Sequence, residues 1–212
     1  MTTRFTLTAC ADEIEQRFSK ISDGQWKPNY NISAGQLVPI ILNEEPLRVV
    51  LARFGFIPEW APNEKIGLKF LNAKAEDLME IPTLKIAMKY RRCLVIADGF
   101  YEWQRIRRGK KPFRIILKKN RIFGFAGMYN VWKGIYTFSI ITTKPNAVVS
   151  NISDRMPVII PKDKEDAWLY GERGKALRLL QPYPASKMKS YEVSWEVNSV
   201  KAEGEDLIRG LE

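Results

Sequence analysis

Four apolar runs rich in β-branched and aromatic residues succeed one another in the middle of the chain. They are CLVIADGFYEW (93–103), PFRIILKK (112–119), IFGFAGMY (122–129) and YTFSIITTK (136–144). The basic stretch RIRRGKK (105–111) reads as a turn between the first two, and no helical pattern separates any of them. That succession excludes the strand–helix alternation of a doubly wound sheet. TRFTLT (3–8), LVPIIL (37–42), LRVVLARFGFI (47–57) and KSYEVSWEVNSV (189–200) extend the strand count. Helical spacing is confined to a few places: Ile14, Phe18 and Ile21 in ADEIEQRFSKI (11–21), residues 83–90, and DKEDAWLY (163–170), where Asp163 can cap and Asp166 can reach back. With no repeat and no low-complexity linker, residues 1–212 read as one α+β domain. Its sheet is mixed or antiparallel and its helices are peripheral.

Composition narrows the function. Lys and Arg outnumber Asp and Glu by 34 to 24, a net charge of +10, which favours a polyanionic partner, nucleic acid first. No segment offers the roughly 18–20 apolar residues of a membrane span, and the opening residues lack a secretory apolar region. Cys10 and Cys93 stand outside any CxxC spacing, which suits buried thiols in a reducing, intracellular compartment. Histidine is absent, which removes most zinc sites, Ser-His-Asp triads and Cys-His dyads. No metal or other cofactor is expected.

Three clusters carry candidate chemistry. In ADGFYEW (97–103), strand alternation puts Phe100, Glu102 and Gln104 on one face and Tyr101 and Trp103 on the other. A carboxylate buried among these rings has a raised pKa and suits acid–base work; an exposed edge position, or a pair with Arg92 or Arg105, leaves it structural. In LNAKAEDL (71–78), Asn72 and Glu76 share a face if helical and Lys74 can meet a phosphate, whereas Asn72 as a helix cap is structural. In NISDRMPVII (151–160), Asp154 and Arg155 form either a functional turn or a turn-capping pair. Metal-dependent hydrolysis through Asp98, Glu102 and Asp154 has no further ligand cluster to support it. Cations and aromatics interleave at Arg4, Trp60, Lys85, Lys89, Arg91, Arg92 and 105–111, as in grooves for single-stranded nucleic acid, although most of the six Trp are expected in the core.

Taken in order, MTTRFTLT (1–8), YNISA (30–34), FGFIPEW (54–60), NAKAED (72–77), RRCLVIADGFYEW (91–103), FAGMY (125–129), SIITTKPN (139–146) and SDRMPVII (153–160) run nearly end to end. Together they resemble the SRAP family (SOS-response-associated peptidase), whose members sense abasic sites in single-stranded DNA. The resemblance implies a barrel-like sheet core and N-terminal autoprocessing. In the family, removal of the initiator Met exposes a Cys. The amine of that Cys condenses with the aldehyde of an abasic site, and its thiol closes a thiazolidine, crosslinking protein to DNA. By the same resemblance Thr2, Asn72, Glu102 and Ser153 stand at the catalytic positions, and Arg4, Trp60, Lys74, Arg91 and Arg155 contact single-stranded or junction DNA. The family's Cys is here Thr2, its Gly Thr3, its His Ser153, the Arg of its NAR motif Lys74 and its YNIAP proline Ala34.

Two expectations follow. One is an abasic-site reader, monomeric and intracellular (in a bacterium, nucleoid-associated), with impaired or reversible covalent chemistry. A terminal threonine still offers an amine of pKa roughly 7.7–8.0 for an imine, though an oxazolidine opens more readily than a thiazolidine. The other is a non-catalytic nucleic-acid- or protein-binding module on the same frame.

Overall fold

A computed structural model describes residues 2–19, 21, 26–44, 46–119 and 121–211. In chain order the elements are β1 (Phe5–Leu7), α1 (Ala11–Arg17), β2 (Asn29–Ile32), β3 (Leu37–Leu42), β4 (Arg48–Phe54), β5 (Asn72–Lys74) and α2 (Pro82–Tyr90). β6 (Arg92–Ala97), β7 (Gly99–Ile106), β8 (Gly109–Leu117), β9 (Phe123–Trp132) and β10 (Ile135–Thr143) form the central run. Then come β11 (Met156–Pro157), β12 (Ile159–Ile160), α3 (Glu165–Leu169), α4 (Arg173–Arg178) and β13 (Met188–Glu192).

The strands form a closed barrel and a second sheet packed on it. The barrel runs β10-β4-β3-β6-β9 and closes by the β9–β10 pairing; β10–β4 is its one parallel contact, so the barrel is mixed. The second sheet, β13-β8-β7-β1-β2, is antiparallel throughout. Phe5 and Phe100 leave this second sheet to meet the barrel's Phe54 and Phe125, with ring centroids 5.5–6.0 Å apart in edge-on geometry. These rings join the two sheets into one continuous core.

The chain passes between the two sheets four times, and the shortest of these crossings falls inside the CLVIADGFYEW run. That run is two strands in two sheets, because the ladder breaks at Asp98. The Asp98 carboxylate turns inward and is buried. It accepts from Thr6 Oγ1, Thr8 N and Thr8 Oγ1, each at 2.6 Å, and from Arg114 Nη2 at 3.3 Å. Gly99 lets these groups close in, since a Cβ there would lie 2.8–2.9 Å from Arg114 and Thr6 side-chain atoms.

Several local expectations are corrected. α1 ends at Arg17; Phe18 and Ile21 lie beyond it, and Ile21 instead forms an isolated bridge to Val49. Asn72 opens β5, a strand paired in parallel with β10, so it neither caps a helix nor shares a helical face with Glu76. Asp163 lies within a 3₁₀ turn, and α3 starts after Lys164 with no side-chain cap; Glu165 is held by Arg17 at 2.7 and 2.9 Å. The 189–200 segment is strand only to Glu192, after which Trp195–Asn198 form a 3₁₀ turn. Only Trp132 and Trp168 of the six Trp are buried, and Cys10 is exposed while Cys93 is buried.

Removing the Asp98 carboxylate leaves Arg114 as a buried cation without its acid. Asp98→Ala should therefore lower the unfolding free energy by roughly 3–5 kcal/mol, read from urea denaturation; a loss under about 1 kcal/mol would show that this junction does not hold the sheets together.

Candidate functional site

β1 pairs with the start of β7, Phe5 opposite Phe100, and the Arg4 carbonyl accepts from Tyr101 N at 3.0 Å. This register carries the residues before β1 along β7 and sets Thr2, fully buried, beside Glu102. Thr2 Oγ1 donates to Glu102 Oε1 at 2.6 Å. Asn72 Nδ2 donates to the Thr2 carbonyl at 2.9 Å, and its buried Oδ1 has no partner among the described residues. Ser153, from the turn ahead of β11, adds a hydrogen bond to the Glu102 carboxylate. Four residues distant in sequence, 2, 72, 102 and 153, thus converge.

The expected alternation along β7 is observed. Phe100 enters the core and Glu102 and Gln104 line a cleft, while Tyr101 joins a second small cluster with Val193, Val197 and Leu207, against which Trp103 packs. Glu102 is only 3% exposed, which excludes the edge-strand alternative. Arg92 is not its partner, since that guanidinium donates to the carbonyls of Trp168, Met88, Leu169 and Gly171. Burial pushes the Glu102 carboxyl above the ordinary glutamate range, and the hydrogen bonds from Thr2 and Ser153 pull it only partway back.

The cleft measures about 1170 Å³ and is walled by Thr3, Arg4, Glu102, Trp103, Gln104, Arg105, Lys110, residues 150–154, Trp195 and Asn198. Of the five residues expected to contact DNA, Arg4 lies on this wall. Its Nη1 donates to Asn31 Oδ1 at 2.7 Å and to the Val197 carbonyl at 2.9 Å, clasping β1 to the C-terminal segment. The other four stand outside it. Trp60 is 66% exposed, and its neighbour Glu59 accepts from Arg91, which also donates to Asn130. Arg155 forms a two-pronged pair with Glu76 at 3.0 and 2.8 Å and donates to the Thr142 carbonyl, while Lys74 is exposed at the end of β5. Asp98 belongs to the fold junction, so it forms no metal set with Glu102 and Asp154; no group of three or more metal-ligating side chains occurs among the described residues. Of the other wall residues, Arg105 and Lys110 belong to the basic run 105–111 that the sequence offers for nucleic acid, whereas no motif marks Trp195 and Asn198. Asn198 reaches Trp103 through a 2.6 Å hydrogen bond from the indole, a contact across 95 positions with no local signal.

The fold and site define a class: a mixed barrel with a packed second sheet, holding the residue after the initiator Met against a buried carboxyl in a basic cleft. The chain belongs to the SRAP family, described as SOS response associated peptidase, whose model matches residues 1–200. Abasic site processing protein YoqW of Bacillus subtilis is 41% identical over 97% of this chain and 97% of its own length. Abasic site processing protein HMCES of Gallus gallus is 28% identical over 91% of this chain and 69% of that protein. A crystal structure of a Bacteroides thetaiotaomicron protein superposes with a TM-score of 0.90 at 26% identity, covering 99% of both chains. No helix among the described residues is long and apolar enough to cross a membrane.

The raised Glu102 pKa fixes the sign of a stability effect. A carboxyl whose folded pKa exceeds its unfolded value stabilises fully below the unfolded pKa and loses that contribution as pH rises through the folded one. Glu102→Gln should therefore gain stability relative to the parent as pH rises from acid to neutral, measured as the difference in unfolding free energy across that range. A difference independent of pH would mean that burial does not raise the pKa of this carboxyl.

Proposed function

We propose that this chain reads abasic sites in single-stranded or junction DNA and captures the ring-opened sugar reversibly through residue 2. The observation that supports this best is the buried Thr2–Glu102 pair, backed by Asn72 and Ser153 and opening on a cleft with cationic walls. The names of the relatives, abasic site processing proteins, point to the same substrate.

Once the initiator Met is removed, the amine of Thr2 adds to the aldehyde carbon. The Glu102 carboxyl, in the protonated form that its burial favours, gives its proton to the departing hydroxyl, water leaves and an iminium remains. The Thr2 hydroxyl, which already donates to Glu102, then adds to the iminium carbon and yields its proton to the carboxylate, closing an oxazolidine. One amine and one aldehyde become one oxazolidine and one water, and Glu102 ends as it began. An alkoxide-derived ring lacks the durability of a thiazolidine, so the adduct opens again. Ser153, where the family carries His, supplies a hydrogen bond but no proton shuttle near neutral pH. Asn72 orients the residue by its carbonyl, and its partnerless Oδ1 is available to a sugar hydroxyl. Arg4 keeps positive charge on the cleft wall, and Trp60, Lys74, Arg91 and Arg155 supply stacking and charge around it. DNA as the substrate implies an intracellular place of action.

The test is a denaturing gel of protein lacking Met1 with single-stranded DNA carrying one abasic site. A band should survive only when borohydride is present, and Glu102→Gln should slow its formation by roughly 10²–10⁴-fold. Thr2→Cys should yield a band that needs no reductant. If no band forms in either the parent or the cysteine variant while a native gel still retains DNA, the chain is a binding module without capture chemistry.

A further inference from the structure

We infer that the single strand leaves the capture site over the β7–β8 hairpin, with a base stacked on Trp195. The inference rests on the DNA reading above and extends it to a path along the basic run 105–111 and to Trp195, which no motif marks.

The hairpin shows an electrostatic arrangement that a free surface does not favour. Arg105 and Lys110 lie directly opposite each other in the ladder, with Ile106 and Gly109 closing the turn at Arg107 and Arg108. Like charges facing across strands destabilise a sheet. Among the described residues none of Arg105, Arg107, Arg108 and Lys110 has an acidic partner within ion-pair distance, whereas Lys111 pairs with Glu192 at 2.9 Å. Arg105 and Lys110 both line the cleft that begins at Glu102, so their repulsion is relieved by an anion lying along it. A phosphate chain running from Glu102 toward the hairpin tip meets both.

Trp195 supplies the second, independent feature. It opens a short 3₁₀ turn fixed by Ser194 Oγ, which accepts from Glu196 N at 3.2 Å. Its indole sits over Gly109: a Cβ built there would lie 3.6 Å from the six-membered ring, in ordinary contact. The hairpin thus supports one edge of the ring system, and the residue stays 44% exposed on the cleft wall. Trp103, on the same strand face as Arg105, is tied to this turn through Asn198. A supported indole beside unpaired cations is the arrangement that binds single strands without sequence preference, because every base has a face to stack and every step a phosphate. The acids nearby, Asp154 on the cleft wall and Glu196 beside Trp195, leave the hairpin itself cationic.

The experiment is equilibrium binding of an undamaged deoxythymidine oligonucleotide over a range of salt, with the parent, Trp195→Ala, Trp195→Phe and Lys110→Ala. Trp195→Ala should weaken binding roughly tenfold with an unchanged salt slope, and Trp195→Phe should restore most of the affinity, since a phenyl ring still stacks. Lys110→Ala should reduce the salt slope by about one. Replacing the stacked nucleotide by a baseless spacer, scanned along the oligonucleotide, should abolish the difference between parent and Trp195→Ala at one position. If the parent binds and all three variants match it in affinity and slope, the hairpin path is wrong and the DNA reading stands. If the parent itself binds no oligonucleotide, both fall.

Discussion

Everything functional in this protein depends on a carboxylate that does no chemistry. Asp98 stands where the chain passes from barrel to second sheet, and its two oxygens gather Thr6, Thr8 and Arg114. Arg114 extends the network to Tyr191, whose hydroxyl donates to the Ile208 carbonyl. One buried charge thereby sets β1 against β7 and anchors the C-terminal segment against β8. Burying it costs several kcal/mol unless every lone pair is used. The four donors meet that requirement, and they also fix the register that delivers Thr2 to Glu102. Slippage by one residue would turn each side chain of β1 to the wrong face.

Glu102 works in the opposite electrostatic regime. It sits four residues past Asp98, yet it faces hydroxyl donors where Asp98 faces a guanidinium, so desolvation dominates its titration. Two acids from one sequence motif thus meet different surroundings, Asp98 a guanidinium with three threonine donors and Glu102 hydroxyls at the edge of a cleft. The same principle divides the arginines. Arg92 and Arg155 spend their donors within the protein, while Arg105 and the turn arginines keep theirs for solvent or ligand.

Much of this was legible in the residues. Helix-free apolar runs gave the fold class, and period-two alternation placed Glu102 and Gln104 on one face of β7 with Tyr101 on the other. The motif order, through its resemblance to a known family, brought Thr2, Asn72, Glu102 and Ser153 into one site. What stayed hidden has a common cause, dependence on contacts remote in sequence. Strand periodicity runs unbroken through Asp98, so the switch between sheets at that residue left no mark in it. Trp195 read as one more alternating strand residue, because nothing local says that Gly109 will lie beneath its ring. Asp163 had the right chemistry for a cap, but Lys164 preceded the helix once Arg17 had claimed Glu165. The pairing of Arg155 with Glu76 joins residues 79 positions apart, and nothing local foretells it.

The wide sequence separation within the site also sets a schedule during synthesis. Thr2 is polymerised before its partner Glu102, which follows 100 positions later. Ser153 and the Trp195 wall come later still. At roughly 5–20 residues per second, the roughly 150 positions to Ser153 take on the order of ten seconds. Until then Thr2 lacks the full set of partners and the cleft that surround it in the folded chain. Barrel closure, which needs β9 and β10, is therefore the event that completes the surroundings of Thr2. On the proposed reading, the capture site is created by completing the fold, because Glu102, Ser153 and the cleft join Thr2 only then.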